Sequence, residues 1–177
     1  GGAGAEAMMA TLRMQGNVLF KEARFGEAVQ RYSEAIRLDP AGRAAEAHVL
    51  HSNLSAAHAA LSAWPAALHH AQVCLTLQPN FAKGYSRYGT ALAHQGRLGE
   101  AISAFERCLA LDPNNAVARE AMTQAQQALE RHGGAGPASY WGGVVPPHAD
   151  DAKAAANLQA AWERASQAKA DKERAMA

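Results

Sequence analysis

The stretch FAKGYSRYGTALAHQGRLGEAISAFERCLALDPNN, residues 81–115, decides the fold, because its pattern of small and large residues occurs three times along the chain. It aligns with residues 9–40 and, more loosely, with residues 48–79. In the last copy the recurring positions are Tyr85, Gly89, Leu92, Ala101, Phe105, Cys108 and Pro113. In the first copy they are Leu12, Gly16, Leu19, Ala28, Tyr32, Ala35 and Pro40. The middle copy retains Ala67, Cys74 and Pro79, with Ser55 for the glycine and Ala71 for the aromatic. Such regular spacing predicts a stack of structural repeats.

Each copy has the features of two antiparallel helices. Small residues such as Gly16 and Ala28 let two helix backbones approach, and the aromatic Tyr32 fills the space beside them. The prolines at positions 40, 79 and 113 disfavour helix in the residue before them, so each marks a repeat boundary. Pro65 differs, because a proline in the first helical turn has no N–H to lose and predicts a helix start.

The pattern resembles the tetratricopeptide repeat (TPR), which implies an all-α fold of three helix hairpins and a closing helix in a right-handed superhelical stack. We expect helices near 9–22, 25–37, 43–60, 65–77, 82–94 and 98–111, with repeats at 9–42, 43–81 and 82–115. The middle repeat has about five extra residues within 41–47, which we assign to an N-terminal extension of the third helix. Residues 116–131 are amphipathic and are assigned to the capping helix, so the TPR domain covers 9–131.

Both ends of the chain differ in composition from the repeats. Because the chain starts with Gly1, we expect residues 1–8 to be disordered or a cloning remnant. Residues 132–149 are rich in glycine and proline and predict a linker. Residues 150–177 predict one more helix, with Leu158 and Trp162 four residues apart, and self-association through this helix is left open.

Composition narrows the classes of function. The sequence is 49% hydrophobic and 19% charged, with a net charge of +1, which gives no general basic field for nucleic acid or a membrane surface. We see neither an apolar run long enough for a membrane span nor a secretory signal, and we therefore expect a cytoplasmic protein. Cys74 and Cys108 share a repeat position with an alanine, which favours buried thiols.

The candidate functional residues lie on the first helix of each repeat, which lines the inner surface of a stack of hairpins. Arg13 and Asn17 are four residues apart and share a helix face, as do Lys83 and Arg87, and Asn53 corresponds in the middle repeat to Arg87. Three cations and two amides can together satisfy two carboxylates, such as those of a peptide that ends in aspartate. The five residues therefore predict an inner surface that binds an acidic peptide terminus.

These residues are similar to the clamp of the TPR domains of heat-shock co-chaperones, of the Hsp-organising protein and small glutamine-rich TPR protein type. The matching segments are residues 13–17, 52–57 and 83–87, and the one departure is Arg13, where that family usually has lysine. The resemblance implies binding of the Glu-Glu-Val-Asp C-terminus of seventy- and ninety-kilodalton heat-shock chaperones. It implies that Asn17, Asn53 and Lys83 hold the terminal carboxylate, while Arg87, Lys83 and Arg13 meet side-chain or upstream groups.

Four further residues fall on the same helix faces and predict shallow apolar pockets for upstream peptide side chains. They are Phe20, Ala56, Ala59 and His94.

Other functions have less support from the sequence. The pairs His48/His51 and His69/His70 lack a third ligand of suitable spacing, so we expect neither a metal nor a cofactor. We find no Ser-His-Asp arrangement, phosphate-binding glycine loop or zinc-protease helix, and expect no enzymatic activity within the chain. Two alternatives remain: the targeting part of a larger phosphatase, prolyl isomerase or ubiquitin ligase, and a self-associating scaffold.

Overall fold

The computed structural model describes residues 2–39 and 41–131 of the chain. These residues form seven helices, which are α1 (Gly2–Lys21), α2 (Phe25–Arg37), α3 (Ala47–Ala60), α4 (Trp64–Leu77), α5 (Ala82–His94), α6 (Leu98–Leu111) and α7 (Ala116–Arg131). The described part of the chain contains no strand, and the predicted all-α class is confirmed. The predicted helix start at Trp64-Pro65 is also confirmed, with the proline in the first turn of α4.

The helices pack in order along the chain. Helices α1 and α2, α3 and α4, and α5 and α6 form three hairpins, while α2 contacts α3 and α4 contacts α5. Helix α7 packs on α6 and α5 and closes the stack at its C-terminal end. The architecture is therefore three TPR hairpins and a capping helix, as the repeat pattern predicts.

Close approach of the two helices in a hairpin depends on the glycines of the pattern. A Cβ on Gly16 would lie 2.7 Å from Cδ1 of Tyr32, and one on Gly89 would lie 2.7 Å from Cε1 of Phe105. Both rings are almost completely buried, at 2% and 0% exposure. In the middle hairpin Ser55 takes the glycine position, and its hydroxyl donates to the carbonyl of Ala67 across the helix pair at 2.8 Å. The degenerate middle repeat thus replaces ring packing by a buried hydrogen bond.

The three hairpin turns share one backbone conformation. The left-handed residue of each turn is Ala23 (φ 59°), Ser62 (φ 56°) and Gly96 (φ 76°). In each case the next residue donates its N–H to the carbonyl five residues earlier, as Arg24 does to Leu19 at 2.9 Å. This geometry provides hydrogen-bond donors for the last carbonyls of the first helix in each hairpin. Only the third repeat has a glycine, Gly96, at the left-handed position, which glycine adopts without strain.

The prediction that the third helix starts at position 43 is wrong, because the extra residues form a loop and α3 begins at Ala47. Gly42 adopts φ +62°, which a helix cannot contain. Asp39 holds the loop, since its carbonyl accepts from Gly42 N–H at 3.0 Å and its carboxylate accepts from Ala44 N–H at 2.6 Å. The hydrogen bond between the Asp39 side chain and the loop backbone therefore outweighs the helix propensity of this alanine-rich segment.

The expected disorder of residues 1–8 is wrong for residues 2–8, which form the start of α1. The segment is rich in alanine, the best helix former, and it leads directly into Met9, which is 6% exposed in the core of the first hairpin. The predicted linker at 132–149 and C-terminal helix at 150–177 lie outside the described residues.

Candidate peptide-binding site

Two asparagines and a tyrosine form the centre of the candidate site. Asn53 on α3 donates its Nδ2 to Oδ1 of Asn17 on α1 at 3.0 Å. The same Oδ1 accepts from the hydroxyl of Tyr32 on α2 at 2.8 Å. Both bonds end on the carbonyl oxygen of Asn17, and its amide nitrogen has no hydrogen-bond partner among the described residues, so both N–H groups are available to a ligand. The network fixes the Asn17 side chain before any peptide arrives.

The protonation state of the Tyr32 hydroxyl allows it to donate the hydrogen bond to Asn17. Burial raises the pKa of its hydroxyl, and the positive charge of Arg13 opposes that rise. The hydroxyl therefore remains protonated at neutral pH and can donate to Asn17. A residue that the repeat pattern places in the core thus also orients a residue of the candidate site.

Arg87 on α5 is a partly buried cation that forms no salt bridge with the described residues. Its Nε is shielded from solvent and has no hydrogen-bond partner among the described residues. Burial lowers the pKa of its guanidinium. A partly desolvated charge of this kind gains much from an anion, since an unpaired charge is costly to bury. Lys83, one helical turn earlier on α5, is exposed and adds a second cation.

Arg13 on α1 differs from Arg87 in having an acidic partner. Its Nη2 lies 2.9 Å from Oε2 of Glu46, the last residue of the α2–α3 loop. The Arg13 side chain is 26% exposed and that of Glu46 is 58% exposed. Arg13 Nε is buried without a partner among the described residues, so a single Nη is engaged. Among the described residues, one of the three cations of the candidate site, Arg13, is thus paired with a carboxylate.

The five predicted residues are carried by alternate helices of the stack. The hydrogen bond from Asn53 to Asn17 joins α3 to α1, and α3 in turn contacts α5, which carries the two remaining cations. The structure therefore brings the asparagines into direct contact and places Lys83 and Arg87 on the next first helix of the series.

The four residues predicted to line apolar pockets differ in exposure. Phe20 is partly buried and meets the ring of Phe25 edge-on, with centroids 5.1 Å apart. Ala56 is 7% exposed, and Ala59 is partly buried against the core of the third hairpin. His94 is exposed. Their contact with a peptide stays a prediction.

Trp64, at the start of α4, packs on His94, one of the residues predicted to line an apolar pocket. Its ring stacks on that of His94, with centroids 3.7 Å apart and an angle of 2° between the planes. Its carbonyl also accepts from the side chain of Gln95 at 3.2 Å. One face of the His94 ring is therefore covered by the protein itself, and its position is fixed.

Sequence reasoning missed Tyr32, Glu46 and Trp64 as neighbours of the site. Tyr32 could have been found from the sequence. A buried tyrosine hydroxyl needs a polar partner, whereas Phe105, at the matching position of the third repeat, needs none. Glu46 could not, because the sequence assigned its segment to a helix. Trp64 gave no signal beyond its position before a proline.

Four of the histidines form a separate cluster on α3 and α4, namely His51, His58, His69 and His70. Nδ1 of His51 and Nδ1 of His70 are 3.1 Å apart, and the rings of His58 and His70 stack with centroids 5.4 Å apart. Burial and the neighbouring histidines lower the pKa of His70 to about 4. Among the described residues no group of three or more metal-ligating side chains is placed to hold a metal ion. With that pKa, His70 is neutral at physiological pH.

Comparisons with known proteins support the fold and the family of the chain. The family model for the tetratricopeptide repeat matches residues 82–115. The first TPR of Spaghetti (RPAP3), solved bound to the HSP90 peptide SRMEEVD, is 30% identical to the chain. The match covers 71% of this chain and 95% of that one, with a TM-score of 0.65. The chain belongs to the tetratricopeptide repeat family.

Two further relatives of the TPR chain are heat-shock co-chaperones or parts of them. The Hsp70-Hsp90 organizing protein of Triticum aestivum is 40% identical over 116 residues, which are 66% of this chain and 19% of that protein. The second TPR domain of human RPAP3, solved with the HSP70 peptide SGPTIEEVD, is 25% identical, covers 69% of this chain and 98% of that one, and has a TM-score of 0.63. The resemblance to co-chaperone TPR domains is confirmed.

The TPR chain spans about one fifth of the length of the wheat relative, 19%. Among the described residues no helix combines the length and the hydropathy that crossing a membrane requires.

Proposed function

We propose that this TPR domain binds the Glu-Glu-Val-Asp C-terminus of seventy- and ninety-kilodalton heat-shock chaperones through a two-carboxylate clamp and serves as a co-chaperone adaptor. The clamp consists of Arg13, Asn17, Asn53, Lys83 and Arg87. The observation that carries the proposal is Arg87, a partly buried guanidinium whose Nε has no partner among the described residues. Charge-assisted hydrogen bonds from a carboxylate would compensate its lost hydration.

Two further observations support the proposal. Asn17 presents two unused amide N–H groups beside Asn53, which suits the paired oxygens of a terminal carboxylate. The peptides in the two solved relatives, SRMEEVD and SGPTIEEVD, end in the same four residues. A cytoplasmic location, binding contacts of the four pocket residues, and the absence of enzymatic activity stay predictions. Self-association also stays a prediction, because residues 132–177 lie outside the described part of the chain. The larger-enzyme alternative stays a prediction as well, because its catalytic domain would lie outside residues 1–177.

A titration of a Met-Glu-Glu-Val-Asp peptide against the protein, followed by calorimetry, tests the proposal. The same peptide with an amidated C-terminus is the ligand control, because it keeps every side chain and loses only the terminal charge. We expect clear preference for the free carboxylate and weaker binding as salt rises. Equal binding of the two peptides would refute the clamp.

A matched pair of variants tests the site assignment. Arg87→Ala is expected to weaken binding by more than about 1 kcal/mol, the range for a lost hydrogen bond to a charged group. Arg37→Ala removes the same charge from an exposed position at the end of α2 and is expected to leave affinity unchanged. Similar affinities of both variants would show that Arg87 is not part of the binding surface.

A further inference from the structure

The two features that distinguish this chain from the clamp pattern contact each other. One is arginine at position 13, where the family it resembles usually has lysine, and the other is the longer α2–α3 loop. Arg13 Nη2 lies 2.9 Å from Oε2 of Glu46, which ends that loop. The insertion therefore delivers a carboxylate to one of the three cations of the candidate clamp.

The loop holds Glu46 in place through its backbone. The Asp39 bonds to Gly42 and Ala44 fold the loop, and the carbonyl of Glu46 accepts the N–H groups of Val49 and Leu50 at 2.9 and 3.3 Å. Glu46 occupies the N-cap position of α3, yet its side chain makes no capping bond. A carboxylate at a helix start usually accepts from the exposed N–H groups of the first turn. Here the carboxylate turns to Arg13 instead.

We propose that Glu46 is a built-in competitor of the peptide, which occupies Arg13 while the groove is empty and lowers the affinity of the clamp for acidic ligands. The inference rests on the proposed function. Arg13 keeps only one Nη engaged, and its Nε is buried without a partner among the described residues. An incoming carboxylate must therefore share the guanidinium with Glu46 or displace it, and it meets repulsion from a charge of the same sign.

The test is the affinity of Glu46→Gln for the Met-Glu-Glu-Val-Asp peptide, measured beside the parent protein at low and at physiological salt. The amide keeps the size of the side chain and removes its charge. We expect binding to tighten about two- to fivefold, the scale of a solvent-exposed ion pair. The gain should shrink as salt rises, because screening weakens both the pair and the repulsion.

Glu6→Gln is the matched control. Glu6 is an exposed acid that lines the same cavity of about 330 Å³ as Arg13 and Glu46, with no ion pair to Arg13 among the described contacts. A gain confined to Glu46→Gln supports competition at Arg13. An equal gain in Glu6→Gln would show a general effect of charge and overturn the inference, as would unchanged or weaker binding by Glu46→Gln.

The outcome for the parent protein separates this inference from the proposed function. If the parent prefers the free carboxylate and Glu46→Gln brings no gain, only the inference fails. If the parent does not distinguish the free from the amidated peptide, the clamp fails and the inference fails with it. Thermal unfolding of each variant checks that the fold is intact.

Discussion

Replacement of Tyr32 by phenylalanine should weaken peptide binding without disrupting the fold. The change removes one hydroxyl and keeps the ring that packs against Gly16. The lost contact is the 2.8 Å bond to Asn17 Oδ1, which retains a second donor in Asn53 at 3.0 Å. No acceptor is therefore left unsatisfied, and the free energy of unfolding should fall by about 0.5–1.5 kcal/mol, the usual net value of one hydrogen bond.

The same loss should be visible in binding, because the Asn17 amide is then held from one side only. If ordering that amide costs as much as the missing bond contributed, affinity falls by about two- to tenfold. Calorimetric titration with the Met-Glu-Glu-Val-Asp peptide measures this effect, and circular dichroism melting measures stability separately.

Tyr88→Phe is the matched control for this prediction. It removes a tyrosine hydroxyl from α5, where Tyr88 packs partly buried against the core of the third hairpin. Its hydroxyl has no hydrogen-bond partner among the described contacts, so its loss should leave affinity unchanged. Parent-like affinity of Tyr32→Phe would refute the view that Tyr32 orients Asn17, even if the variant were less stable.

Two further predictions concern stability. Ala23→Gly should raise the free energy of unfolding by about 0.5–1 kcal/mol in urea titrations, because glycine adopts the φ of 59° without the strain of a Cβ; an unchanged midpoint would contradict this. Stability should also fall as pH drops from about 6.5 toward about 4, because burial lowers the pKa of His70 to about 4 and that of His51 below 6.5, so the unfolded chain binds more protons in this range. Urea midpoints at pH 7.5, 6 and 5 measure the slope, which His70→Gln should flatten, and a slope unaffected by that variant would assign it to other groups.

The repeat pattern was enough to predict most of the fold. Helix α2 spans Phe25–Arg37, the predicted range, and the proline at position 40 marked its C-terminal end in the sequence. The predicted starts of α1 and α3 were wrong for different reasons. The true start of α1 depends on packing of Met9 in the core of the first hairpin. The true start of α3 depends on Asp39, whose side chain accepts a hydrogen bond that shapes the preceding loop.

The candidate site was only partly predictable. Helical spacing was sufficient to select Asn17 and Arg87, because residues four apart on a helix share a face. The neighbours of these two residues come from other helices and loops, and spacing along one helix cannot predict them. The bond from Tyr32 crosses from α2 to α1, and the ion pair of Glu46 crosses from a loop to α1.

The arrangement of the clamp on alternate helices has a consequence for the mechanics of the stack. In repeat arrays, each hairpin is stabilised mainly by its immediate neighbours, so the end repeats can unfold while the centre persists. A peptide held at once by α1, α3 and α5 would act as a brace across three hairpins and make them open together. Amide hydrogen exchange should then slow in α2 as well, although α2 carries none of the five clamp residues, and a short ligand would make the three hairpins unfold as one cooperative unit.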